Sequence, residues 1–180
     1  MTYSAKTYPV QAYLNRGWFI LWLITLISGC TSTPDVKTEP DTTLTLTIDA
    51  GFYINGTRME STAPLQARLY ELQSPELFEK ADFLDIYLKD ISTLQDTLIK
   101  KHTLPTIQPD SHASLSFTLD KATHYIAILA EFADYQTARP TVVYPIIVKS
   151  ENIVTLYIFN NHLRLSDPQK TTPPETDNGL

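Results

Sequence analysis

Along residues 44–165 the apolar positions recur mainly with period two. Leu44, Leu46 and Ile48 alternate with Thr45, Thr47 and Asp49; Leu65, Ala67 and Leu69 alternate with Gln66, Arg68 and Tyr70; Leu115, Phe117 and Leu119 alternate with Ser114, Ser116 and Thr118. Successive side chains of a strand point to opposite faces, so this pattern predicts strands with one buried face and one wet face. Residues 125–130 (YIAILA), 141–148 (TVVYPIIV) and 153–159 (IVTLYIF) are apolar on both faces and suit central or sandwich-packed strands. Pro145 cannot donate to a ladder, which puts its strand at an edge or a bulge. A last piece around Leu163 and Leu165 brings the count to six or seven strands, enough for two packed sheets.

One segment departs from period two. Ser74-Pro75-Glu76 is an N-cap followed by Pro at the first helical position, and Leu77, Ala81, Leu84 and Leu88 recur at helical spacing. This predicts a helix over residues 75–90, interrupted near Asp82. Ser92 with Gln95 reads as a capping box for a second helix ending at Lys100 and Lys101, where positive charge suits the C-terminal dipole. Gln108-Pro109-Asp110 is a turn into the third strand. The expected fold class is therefore all-β, a two-sheet β-sandwich with a short helical excursion between strands two and three.

The flanks have a different character. Residues 1–29 contain Lys6 and Arg16, no acid, and an apolar run over residues 18–27, the layout of a secretory signal peptide. Ten helical residues cover about half of a ~30 Å hydrocarbon core, too little for a stable span. The run ends in Ile27-Ser28-Gly29-Cys30, which resembles the lipobox of bacterial lipoproteins, with Ile27 where Leu is usual. The resemblance implies cleavage before Cys30 and a diacylglycerol on its sulfur; several acyl chains make such attachment durable. In lipoproteins of this type Asp after the Cys commonly signals retention in the inner membrane, so Thr31 implies the outer membrane. Residues 30–43 read as a lipidated flexible tether, residues 44–165 as the sandwich domain, and residues 166–180, with their Pro, Thr and acids, as a disordered tail.

Composition narrows the chemistry. The chain has 14 Lys plus Arg against 20 Asp plus Glu, a formal charge of −6. That balance, with no basic block, argues against a nucleic-acid partner. A single Cys excludes an internal disulfide and any Cys-cluster metal site. The four His, at positions 102, 112, 124 and 162, have no spacing that makes ligands converge, so no metal or other cofactor is expected. No nucleophile elbow, phosphate loop or dinucleotide fingerprint occurs. Asp82 and Asp85 lie at helical spacing, yet a capping Asp and a wet helix face account for them. Binding, not catalysis, is the expected activity.

The unusual stretch is residues 51–64 (GFYINGTRMESTAP), long for a connection between strands and bearing Phe52, Tyr53, Ile54 and Met59. Asn55-Gly56 is a tight-turn signal that would make residues 52–59 a projecting miniature hairpin with aromatics on its arms. Alternatively, Phe52 and Ile54 extend the first strand and fold back onto the core.

The succession of Cys30, the strand at residues 44–50, Ile54-Asn55, residues 63–72 (APLQARLYEL), Phe78, Ala81-Asp82-Phe83, Ile86-Tyr87 and residues 125–132 (YIAILAEF) resembles the TssJ family, outer-membrane lipoproteins of type VI secretion systems. Two departures stand out. Gly56 follows Asn55 where the family often has Pro, and little after Arg139 compares. The resemblance implies a transthyretin-like sandwich, no enzymatic activity, and binding to the C-terminal periplasmic region of the inner-membrane protein TssM. It places that contact on the loop between strands one and two, here residues 51–64. Phe52, Tyr53, Ile54, Arg58 and Met59, grouped about the Asn55–Gly56 turn, are the candidate contacts, since aromatic, Met and Arg side chains are enriched at interfaces. Two other classes compete: a periplasmic lipoprotein that uses its ten Tyr and seven Phe to bind a small molecule or glycan, and, more remotely, a hydrolase.

Overall fold

The computed structural model describes residues 39–59 and 61–166. The signal segment, Cys30, most of the tether and the tail from residue 167 lie outside the described residues. The first strand, β1 (Thr43–Ile54), is followed by β2 (Ala67–Leu72), the helices α1 (Glu76–Lys80) and α2 (Phe83–Leu94), and a single 3-10 turn (Gln95–Thr97). Then come β3 (Leu98–Thr103), β4 (Ser111–Thr118), β5 (Tyr125–Ala130), β6 (Thr141–Pro145), β7 (Glu151–Asn160) and β8 (His162–Ser166). The strands form two four-stranded sheets, ordered β4-β1-β7-β8 and β3-β2-β5-β6. This is the two-sheet sandwich with a helical excursion that the alternation implied.

Period two sorts the side chains between layers. Leu44, Leu46, Ile48 and Ala50 of β1 point inward and meet Leu69, Ile126 and Ile128 of the other sheet in one buried cluster. The intervening residues of β2 and β5 point outward, where Tyr70, Leu72, Ala127 and Leu129 form a second cluster with Phe78, Ile86 and Leu94 of the helices. The double apolar face of residues 125–130 follows: one face is covered by a sheet and the other by helices. Pro145 ends β6, an edge strand, as the missing donor requires.

Two expectations need correction. Residues 92–101 do not form a second helix: α2 continues to Leu94, and Lys100 and Lys101 lie in β3, an extra edge strand beside β2. The Ser92 hydroxyl donates back to the Lys89 carbonyl instead of capping, and Gln95 takes a positive φ of 51° that ends the helix. The end of the segment read as tether is seated on the body. Thr42 is buried, its carbonyl accepts from the Leu119 amide at 2.9 Å, and its hydroxyl accepts from the Lys149 amide at 2.8 Å. Finally, the sheets contain eight strands, one more than the pattern suggested.

The helical layer is fastened by a charged cluster. Asp90 receives Lys101 Nζ at 2.7 Å and the Tyr70 hydroxyl at 3.3 Å, with Arg68 at 3.5 Å, while Arg68 Nε donates to Glu131 at 2.7 Å. Lys89, just before Asp90, leaves helical geometry and kinks α2 there. Burial raises the Asp90 pKa, but the Lys101 ammonium, the Ile91 amide and the Tyr70 hydroxyl outweigh it and hold the carboxyl below its ordinary value. Burial pushes the Tyr70 hydroxyl up to about 12, so it remains a donor at neutral pH. A carboxyl with a depressed folded-state pKa stabilises above the unfolded value, and the gain disappears as pH falls through the folded value. Asp90→Ala is therefore expected to cost about 1–3 kcal/mol at neutral pH. In urea unfolding the gap to the unsubstituted protein should shrink below about pH 4, and a gap that widens on acidification would contradict this assignment.

Candidate functional site

β1 pairs in parallel with β7, and the register slips between Ala50, opposite Ile158, and Ile54, opposite Asn160. Gly51, Phe52 and Tyr53 thus stand beside Phe159 alone, an outward bulge at the end of a strand that is otherwise buried on alternate positions. Bulges re-aim side chains, and here both aromatics turn to solvent: Phe52 is 56% and Tyr53 59% exposed. Their rings meet edge to face with centroids 5.0 Å apart. Phe159, half exposed on the neighbouring strand, stacks on His162 at 5.7 Å. Met59 is 97% exposed and Arg58 is exposed.

The expected miniature hairpin is absent. Ile54 is paired with Asn160 of β7, Phe52 and Tyr53 lie in the bulge, and residues 61–64 return without forming a strand. The loop is closed by other means. Ala63 N donates to the Ile54 carbonyl at 3.0 Å, and the Thr62 hydroxyl donates to the Phe52 carbonyl at 2.8 Å. Asn55 does take a left-handed conformation, φ 52°, but spends its side chain inward. Its Nδ2 donates to the Pro64 carbonyl at 2.8 Å, and its Oδ1 accepts from the Ala133 amide at 2.8 Å. Asn161 Nδ2 holds the Gly56 carbonyl at 3.0 Å.

Of the candidate contacts, then, the fold brings Phe52, Tyr53, Arg58 and Met59 to one exposed end. Ile54 is fully buried in the inter-sheet core and Asn55 is 7% exposed, so both support the loop from beneath. The reason is parity: with Phe52 and Tyr53 bulged out, Ile54 resumes the inward phase of β1. Phe159 joins the aromatic end although the sequence reading did not single it out. Its only local signal was an aromatic at the last alternating position of β7.

An exposed aromatic pair on a pinned base suits a protein surface more than a small ligand. Aromatic rings deliver large apolar contact at low entropic cost, and rigid support spares the ordering cost of binding. A hollow of about 290 Å³ does exist, but it lies along α2, lined by Phe83, Tyr87, Phe132 and Tyr135. That is below the ~300–1,000 Å³ usual for small-molecule sites. Among the described residues no group of three or more His, Cys, Asp or Glu could hold a metal ion. His112 instead faces Asp49 at 3.2 Å on the sheet surface. Asp82 takes an extended conformation at the N-cap of α2, and its carbonyl accepts from the Asp85 amide at 3.0 Å.

The fold is a two-sheet sandwich that carries an exposed aromatic pair at one end. Residues 42–163 match the family of type VI secretion lipoproteins that includes VasD, EvfM and TssJ, and the chain belongs to that family. Among solved structures, the T6SS lipoprotein TssJ1 of Pseudomonas aeruginosa superposes with a TM-score of 0.68 at 22% identity, over 74% of this chain and all of that one. Serratia marcescens Lip, a membrane-bound component of the type VI secretion system, gives 0.65 at 19% identity, over 70% of this chain and 98% of that one. A chain in the structure of the TssM C-terminal domain from EAEC gives 0.56 at 21% identity, over 69% of this chain and 98% of that one. At these identities the likeness is one of fold. No curated protein matches the sequence. Among the described residues no helix is long and apolar enough to cross a membrane.

Proposed function

We propose that this lipoprotein is an anchoring subunit of a type VI secretion membrane complex, held to the outer membrane by lipid on Cys30. At the other end of the sandwich, Phe52, Tyr53, Arg58 and Met59 bind the C-terminal periplasmic region of the inner-membrane protein TssM. The observation that carries this reading is the outward bulge of Phe52 and Tyr53 on a pinned loop. β1 supplies the geometry: it begins where the tether ends and finishes at the aromatic pair, a span of roughly 35 Å at ~3.3 Å per residue. A rigid strand between hook and grip transmits load without stretching. Nothing in this role requires catalysis.

The test uses two variants. Cys30→Ser should yield periplasmic protein that still captures the TssM periplasmic fragment. Adding Phe52→Ala and Tyr53→Ala should weaken that capture at least about tenfold, as loss of aromatic anchors does, with the melting temperature little changed because both rings are in solvent. Undiminished affinity in a calorimetric titration would remove the loop from the interface.

A further inference from the structure

The end of the sandwich opposite the aromatic loop carries its own apolar projection. Ile147 and Val148, 59% and 39% exposed, stand on the turn between β6 and β7. Surface turns favour Gly, Asn, Asp, Pro and Ser, so adjacent Ile and Val at such a place are out of keeping with a purely solvated turn. The turn is also firmly built. Asn152, 3% exposed, accepts from the Ile147 amide at 2.8 Å and donates to the carbonyls of Ile147 and Ser150 at 3.0 and 3.1 Å. Lys149 takes a positive φ of 59°, and its amide is held by Thr42. These bonds keep the two aliphatic side chains outside.

The chain enters the body at this same turn. Thr43 N donates to the Ser150 carbonyl at 3.1 Å, Lys149 Nζ reaches Glu39 at 2.8 Å, and Pro40 and Val148 line one hollow. From Cys30 to Glu39 the chain has nine residue steps, which extend to at most about 30 Å. A lipid on Cys30 therefore keeps this turn within about 30 Å of the bilayer. Charge is not the attraction: Lys121 and Lys149 share this end with Glu39, Asp41, Asp120 and Glu151.

We propose that Ile147 and Val148 form a membrane-seating tip that enters the headgroup boundary of the leaflet holding the lipid. The inference rests on the anchoring reading above. Two aliphatic side chains cannot hold a protein to a membrane, and they need not, because the tether supplies the local concentration. What the tip adds is orientation, with β1 upright and the aromatic loop facing away from the surface.

Both Trp residues, Trp18 and Trp22, precede Cys30, so the mature chain contains none. Lipidated full-length mature protein carrying Val148→Trp, and separately Met59→Trp, would be reconstituted in phosphatidylethanolamine–phosphatidylglycerol vesicles with brominated acyl chains. Ile147→Trp serves as a second reporter should Val148→Trp melt early. The expected result is a blue-shifted emission quenched about two-fold or more at position 148 and none at position 59. Three results overturn the proposal while mass spectrometry still shows lipid on Cys30: no quenching at either tip position, equal quenching at 148 and 59, or a shift at 148 that appears only when the TssM fragment is added. Lipid missing from Cys30 would overturn the anchoring reading, and this inference with it.

Discussion

Replacing Asn55 by Ala is expected to lower stability by about 3 kcal/mol and to weaken partner binding, although Asn55 itself is almost fully buried. Two of the contributions are hydrogen bonds. Without the side-chain amide the Pro64 carbonyl loses its donor, and the Ala133 amide, 78 residues away in sequence, loses its acceptor. The third is conformational, since Ala at φ 52° lacks the local bonding that makes the left-handed region tolerable for Asn. Asn55→Gly separates the terms: it keeps the conformation and forfeits only the hydrogen bonds, so it should fall between the two in urea unfolding. Binding of the TssM fragment, measured well below the melting temperature, should decline in the same order. The loop that carries Arg58 and Met59 would have lost its seat while Phe52 and Tyr53 remained on β1. Equal stability for all three proteins would mean that Asn55 is not what closes the loop.

Asn55 also shows where sequence reasoning succeeded and where it stopped. Asn-Gly was read as a tight turn closing a small hairpin; Asn55 does take a positive φ, but the hairpin is absent. The dipeptide did not specify the partner, because the choice between a local hairpin and a strand extension was made by β7, about a hundred residues on. Parallel pairing leaves no local trace, so neither the bulge at Gly51–Tyr53 nor the inward turn of Ile54 could be read from residues 51–64 alone. The alternation in β1 was legible because one face is buried and the other half-exposed, and β4 repeats it weakly, with Leu115 and Phe117 half-buried between exposed neighbours; β2, expected to have a wet face, is covered on both. β3 was missed for the converse reason. An edge strand of sequence LIKKHT buries no residue fully, and two adjacent Lys resemble a helix C-terminus as readily as a strand. The double apolar face of β5 was legible as burial, but that helices supply the second cover followed only from the contacts of Phe78, Ile86 and Leu94. Exposure of Phe52 and Tyr53 belongs to the same class of fact: it is set by register, which composition does not encode.

Glu71→Ala should be the most destabilising single change among those considered, by about 3–5 kcal/mol. Glu71 lies on β2 between the sheets with no exposed surface. Its Oε1 lies 2.7 Å from His102 Nε2, and its Oε2 accepts from the Asp120 amide at 2.8 Å and the Thr123 hydroxyl at 2.6 Å. Two donors converge on Oε2, and His102 meets Oε1 on the other side, so every buried oxygen of the side chain has a partner. Asp120 and Thr123 lie on the segment that carries the chain from β4 in one sheet to β5 in the other, which makes Glu71 the tie across the sandwich at the tether end. Glu71→Gln tests this separately from the loss of volume. Its oxygen can keep the Asp120 and Thr123 donors while its NH2 faces the His102 tautomer with a bare Nε2, so it should recover most of the loss. His102→Ala removes one partner and leaves the Asp120 and Thr123 donors in place, so it should cost distinctly less than Glu71→Ala. Thermal unfolding of the three variants decides the matter: a Gln variant as unstable as the Ala one would show that the bonds to Asp120 and Thr123 are not what the position requires. Phe52 and Tyr53 sit at the far end of β1, in the other sheet, so in protein that remains folded their partner affinity should be unchanged, which separates a weakened body from a damaged grip.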